Sequence, residues 1–126
     1  MFALAQETDQ DIWEVEALYD LVFAPGREAL SSYRLREDVA PVADFCLVAR
    51  DADAILAGAI RVWPVQVAND QALLLGPIAV HPTRQGEGLG GLLIEDVLSR
   101  ARAAGWARAM LVGDLPYYSR FGFARL

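Results

Sequence analysis

At 126 residues, 55% of them hydrophobic and set in short runs broken by Gly, Pro and charge, the chain has room for one core and reads as a single globular domain over 1–126. A net charge of -6, no lysine, one cysteine and one histidine argue against a nucleic-acid partner, a Walker-type phosphate loop, lysine Schiff-base chemistry, an intrachain disulfide and a Cys- or His-rich metal site. No apolar run approaches the ~20 residues of a membrane span and the start lacks the basic segment of a signal peptide, so a cytoplasmic protein with no membrane partner and no metal is expected.

Phe2 to Gln6 is a short apolar start. Thr8, Asp9 and Asp11 can satisfy the amides that open a helix. Ile12, Val15, Leu18, Tyr19, Val22 and Phe23 recur at steps of three and four, which predicts a helix over Asp9 to Phe23, ended by Pro25-Gly26. A second, more polar helix is expected over Arg27 to Asp38. Three strand-like runs follow, Phe45 to Arg50, Ile55 to Val67 and Ala72 to Val80, with turns at Asp51-Ala52-Asp53 and Asn69-Asp70 between them; they predict an antiparallel meander. Cys46, inside the first run, reads as a buried small side chain. Pro64 and Gly76-Pro77 interrupt the second and third runs, and since proline donates nothing to a ladder, each is expected at a bulge, an edge or a strand end.

From Leu89 to Ala104 the positions Leu89, Leu92, Leu93, Val97, Leu98 and Ala101 predict one apolar helix face, closed by Gly105. Ala107 to Val112 reads as a further strand, and Pro116 to Phe121 as a short helix capped by Asp114. Strands and helices in this order give an α/β (α+β) class.

The chemistry concentrates between the third strand and the long helix. Gly86, Gly88, Gly90 and Gly91 place four glycines within six residues just before an amphipathic helix. Backbone amides there can turn toward one point with no side chain in the way, and the helix N-terminus adds unpaired amides and ~0.5 of a positive charge, a setting that suits a diphosphate.

Gln85-Gly86-Glu87-Gly88-Leu89-Gly90 fits the Gln/Arg-x-x-Gly-x-Gly/Ala signature of the GNAT superfamily of N-acetyltransferases, which the chain resembles. Ile78-Ala79-Val80-His81-Pro82 is similar to that family's strand ahead of the loop, and Tyr117-Tyr118-Ser119-Arg120-Phe121-Gly122-Phe123 to its later Tyr-x-x-x-Gly-Phe element; the stretch from Gly113 resembles in particular the YhbS-like branch. The resemblance implies a GNAT fold, a mixed and mostly antiparallel sheet splayed open at the cofactor strand and flanked by helices. It implies acetyl-CoA as cofactor, with Gln85, Gly86, Gly88, Gly90 and Gly91 offering amides to its diphosphate. The pantetheine arm would pair along Ile78, Ala79 and Val80, and an amide there would polarise the thioester. Tyr118 takes the position of the general acid toward the thiolate, and Tyr117 that of a packing residue. The implied reaction is acetyl transfer to the primary amine of a small molecule or peptide by direct attack in a ternary complex.

The sequence also departs from the family's pattern. Leu74, Leu75 and Gly76 stand where many relatives carry a glutamate base, leaving Asp114 and His81 as candidates beside their plainer roles of helix cap and strand end. Glu87 puts a carboxylate in the phosphate loop. The chain stops three residues after Phe123, so the C-terminal strands that help to build the acceptor pocket are missing, which points to a trimmed enzyme, an absent tail or an edge completed in a homodimer. Two rival readings remain. One is a non-catalytic acyl-CoA-binding sensor or partner module of the same fold. The other is a dinucleotide-binding fold, since Gly86 to Gly91 also satisfies Gly-x-Gly-x-x-Gly; the five residues from His81 to Gln85 between strand and loop oppose it.

Overall fold

The computed structural model describes residues 2–23, 40–111 and 118–123. Among them β1 (Ala3–Gln6), β2 (Leu47–Arg50), β3 (Leu56–Val67), β4 (Asp70–Val80) and β5 (Ala109–Leu111) form one sheet in the order β1-β2-β3-β4-β5. The first four strands are antiparallel neighbours and β5 runs parallel to β4. The sheet is thus mixed and mostly antiparallel, and β2, β3 and β4 form the expected meander. The helix expected over Arg27 to Asp38 lies outside the described residues.

Among the described residues two α-helices cover the sheet, one on each face. α1 (Ile12–Phe23) follows a 3-10 turn at Asp9–Asp11, where Thr8 N–H donates to Asp11 Oδ2 at 2.8 Å and Asp11 N–H to Thr8 O at 2.9 Å. It buries Val15, Leu18 and Tyr19 against Val48, Leu56, Ala59 and Ala79. α2 (Leu89–Ala103) buries Leu89, Leu93, Ile94, Val97 and Ala101 against Leu47, Ile60, Val62, Leu73 and Leu75 on the opposite face. The alternation of a strand sends successive side chains to these two cores.

Two helix positions differ from expectation. Leu92 is 46% exposed, and Ile94 takes the inward place instead. At ~100° per residue the line through Leu89, Leu93, Val97 and Ala101 centres about 60° round from Leu89, so Ile94 falls about 80° from that centre and Leu92 about 120°. Ile12, at the first turn of α1, is also exposed.

Both interrupting prolines have a structural reason. β2 ends its pairing with β3 at Leu47 opposite Ile60, so among the described residues Pro64 lies on a stretch of β3 with a strand on one side only. Its partner Leu73 donates its amide to Arg108 O at 3.0 Å, away from β3, so the Pro64–Leu73 pair is one that exchanges no ladder bonds and the missing N–H faces the sheet edge. At Gly76-Pro77 the strand bulges. Val62 pairs with Leu75 and Ile60 with Ile78, so Gly76 and Pro77 together face Arg61.

Cys46 is 4% exposed, and its thiol sits 3.4 Å from both the Val42 carbonyl and the Val62 amide. Burial pushes the thiol above its ordinary range, against the opposing pull of the Val62 N–H. A thiol reagent added to the native protein at neutral pH should leave Cys46 unmodified, and one thiol per chain should react once denaturant is present. Rapid native labelling would mean that the β2–β3 edge opens.

Candidate active site

The start of α2 is a cradle of main-chain amides. Gly86 and Gly88 adopt φ of +89° and +77°, a left-handed conformation that side chains resist, and nothing lies within 4 Å of where a Cβ on either would stand. Gly88 is the N-cap and brings no side-chain cap. Leu92 N–H donates to Gly88 O at 3.2 Å, so the amides of Leu89, Gly90 and Gly91 precede the helix's own bonding. No acidic residue occupies the first turn. These amides and the helix dipole favour negative charge at that end.

A second row of main-chain groups faces the cradle from β4. Before the bulge, Leu73 N–H points toward β5; after it, His81 N–H donates to Ala57 O at 2.8 Å, toward β3. By alternation Ile78 and Val80 therefore direct their amides and carbonyls away from β3. β5 pairs only with Leu73, Leu74 and Leu75, so among the described residues no strand meets that side of Ile78 and Val80.

The two rows share a cleft of about 610 Å³ walled by Ile78, Val80, Gln85, Gly86, Gly88 and Gly90, with Val22 from α1, Arg84, Leu89 and Tyr118 completing it. Gln85 bridges them, its Nε2 donating to Val80 O at 3.4 Å. Tyr118 is half-buried on the α2-side core and sets its ring edge-on to Phe123, with centroids 6.5 Å apart. Ala79 and Gly91 lie close by but off the wall. Ala79 is buried against α1, and Gly91 is buried in the first turn of α2. Tyr117 and Asp114 lie outside the described residues.

His81 is turned to a local task. Its Nδ1 accepts Thr83 N–H at 3.2 Å and lies 2.8 Å from Thr83 Oγ1, which caps the turn Pro82–Arg84. Glu87 stands 3.6 Å from Arg84 Nε, and Arg84 in turn reaches Asp51 at 3.8 Å and covers the Phe2 ring at 5.0 Å. The carboxylate in the loop is thus drawn toward a guanidinium rather than left alone beside the amides. Asp51 is itself held by the Ile55 and Asp53 amides, at 3.1 and 2.9 Å, which keep its carboxyl below the ordinary range. Phe2 and Asp51 gave no sequence signal for this tether, because their partners are remote along the chain.

Residues 43–125 match the Acetyltransferase (GNAT) domain family. The chain is 32% identical over 111 residues to the uncharacterized N-acetyltransferase YhbS of Escherichia coli (strain K12), covering 86% of this chain and 65% of that protein's length. Among solved structures it is similar to a GNAT family acetyltransferase from Brucella melitensis in complex with acetyl-CoA, with a TM-score of 0.79, 32% identity, and coverage of 99% of this chain and 84% of that one. It is likewise similar to YhbS from Escherichia coli in complex with CoA, with a TM-score of 0.83, 30% identity, and coverage of 98% and 68%.

Gly58 was not singled out by the sequence, yet it sets how closely α2 approaches β3. A Cβ there would meet Leu89 Cδ2 at 2.9 Å, Ala79 O at 3.2 Å and Leu93 Cδ1 at 3.3 Å. Leu89 is 1% exposed and has little room to swing aside, and it directly follows the N-cap glycine of the cradle. Gly58→Val should therefore lower stability by about 1–3 kcal/mol through overpacking, read as a lower urea midpoint at unchanged slope. An unchanged midpoint would show that α2 can move outward freely.

Proposed function

The chain belongs to the GNAT acetyltransferase family, and on that premise we propose that this domain transfers the acetyl group of acetyl-CoA to a primary amine, carried by a small molecule or a peptide, in the cytoplasm. One observation carries the reading: among the described residues, amides at the start of α2 with no side-chain cap and amides on the edge of β4 that no strand pairs face a single cleft that also receives Tyr118.

The residues present fit the cofactor. Open space over Gly86 and Gly88, which any Cβ would narrow, leaves Gln85, Gly86, Gly88 and Gly90 on the cleft wall to hold the diphosphate, with the Gly91 amide behind them in the first turn. Ile78 and Val80, with Ala79 between them, present strand-like donors and acceptors to the pantetheine arm. Bound acetyl-CoA supplies an activated acyl carbon joined to a thiol leaving group. An Ile78 or Val80 amide aimed at the thioester oxygen stabilises the negative charge that grows there during attack. The Tyr118 hydroxyl holds the proton that the departing sulfur requires. The incoming amine must arrive neutral, and its proton leaves by a base or a solvent path; His81 Nδ1, engaged by Thr83, is poorly free for that task.

Two measurements test this. Acetyl-CoA should raise the melting temperature and NAD should not, with about 2.7 kcal/mol of stabilisation at ligand a hundredfold above Kd. Gly88→Val should remove that gain, because a β-branched residue resists a φ of +77° and fills the open space. A shift with NAD and none with acetyl-CoA would overturn the cofactor assignment.

With an acceptor found by an amine screen that follows free thiol, Tyr118→Phe should slow release by roughly 10- to 10⁴-fold. An equal rate removes Tyr118 from the chemistry. Acetyl-CoA binding with no thiol released to any amine would favour the non-catalytic, acyl-CoA-binding alternative.

A further inference from the structure

The bulge in β4 decides which amides look into the cleft, and two side chains from outside the cleft hold it. Up to Leu75 the odd-numbered residues aim at β5; with two residues spent opposite Arg61, the even-numbered Ile78 and Val80 inherit that direction. In an unbroken strand the cleft would instead receive residue 77, a proline with no amide to offer. The extra residue leaves the Gly76 and Pro77 carbonyls in need of partners. Trp63 Nε1 donates to Gly76 O at 2.7 Å, and the Tyr19 hydroxyl donates to Pro77 O at 2.9 Å. Gly76 has a φ of +126°, so the turn also requires a glycine.

Neither donor is loosely placed. Tyr19 is fully buried in α1, and Trp63 is half-buried on β3. Arg61, the residue opposite the bulge, lies over the Tyr19 ring at 5.3 Å and is itself gripped by Glu7, at 2.9 and 3.2 Å, and by Glu16. The cluster anchors the bulge from the α1 face while the cofactor cleft opens beyond it.

We propose that Tyr19 and Trp63 are positioning residues for acetyl transfer: by holding the Pro77 and Gly76 carbonyls they fix the bulge in the phase that aims the Ile78 amide at the thioester carbonyl. This rests on acetyl-CoA occupying the cleft as proposed above. Neither side chain lines the cleft. Loss of the pair therefore acts on carbonyl polarisation and leaves cofactor affinity largely intact.

The test reads the carbonyl directly and needs no acceptor. Acetyl-CoA labelled with ¹³C at the acetyl carbonyl is bound to the protein, and its stretching band is recorded by isotope-edited infrared spectroscopy well below the melting temperature of each variant. In the unaltered protein the band should lie at lower wavenumber than in solution. In Tyr19→Phe and in Trp63→Phe it should return toward the solution value while Kd for acetyl-CoA changes by less than about threefold. With an accepted amine, kcat should then fall by about tenfold or more at nearly constant KM for acetyl-CoA, the mark of a contribution made in the transition state. Bands and kcat at the unaltered values in both variants overturn the proposal. So does a band shift accompanied by a tenfold loss of affinity, which marks general loosening. Tight binding with an unshifted band in the unaltered protein overturns this inference alone, whereas no binding of acetyl-CoA at all removes the cofactor reading beneath it.

Discussion

Main-chain groups left without partners by secondary structure must meet water or a ligand, and this requirement organises the molecule around its cleft. Among the described residues two such sets flank the cleft, the first amides of α2 and the edge of β4 past the bulge. The rest of the fold keeps them opposite one another. The α2-side core fixes the helix over the sheet, and close contact at Gly58 brings its N-terminus down onto β3. The parallel pairing of β5 stops short of Ile78, so the edge is not closed by another strand among the described residues.

A site of this kind explains how an acidic chain can favour a polyanion. With a net charge of -6 and no lysine, long-range attraction works against a CoA-like ligand. Amide dipoles act over the last few ångströms, where they need no net charge and no reorganisation. The nearest guanidinium on the cleft wall, Arg84, is shared with Glu87 and Asp51, and Glu87 is drawn to it. The carboxylate that Glu87 places in the loop is thus taken up by a local ion pair beside a neutral cradle.

The other face of the sheet serves the same end by different means. Tyr19 belongs to the α1-side core, yet its hydroxyl reaches a main-chain carbonyl on β4, and Trp63 does the same from β3. A buried polar atom is tolerable only when bonded, so the hydroxyl and the bulge carbonyl each satisfy the other. Core packing and cleft geometry are coupled through these two bonds. The Glu7–Arg61–Glu16 group, remote from the cradle, bears on the site by the same route.

Local features of the chain were enough to identify the strand, the glycine loop and the helix that build the cradle, because φ preferences, apolar periodicity and helix-start chemistry act within a few residues. The break at Gly76-Pro77 was legible for the same reason: proline removes a donor wherever it stands. Which break became an edge and which a bulge was settled by pairing, since Pro64 runs past the end of β2 while Gly76-Pro77 faces Arg61 alone. Leu92 and Ile94 exchanged places because a spacing of three or four names a face without fixing its centre. Gly58, Tyr19, Trp63 and the Asp51–Arg84–Phe2 tether act only through partners distant in sequence. Composition and spacing carry no record of such contacts, and the folded chain alone brings them together.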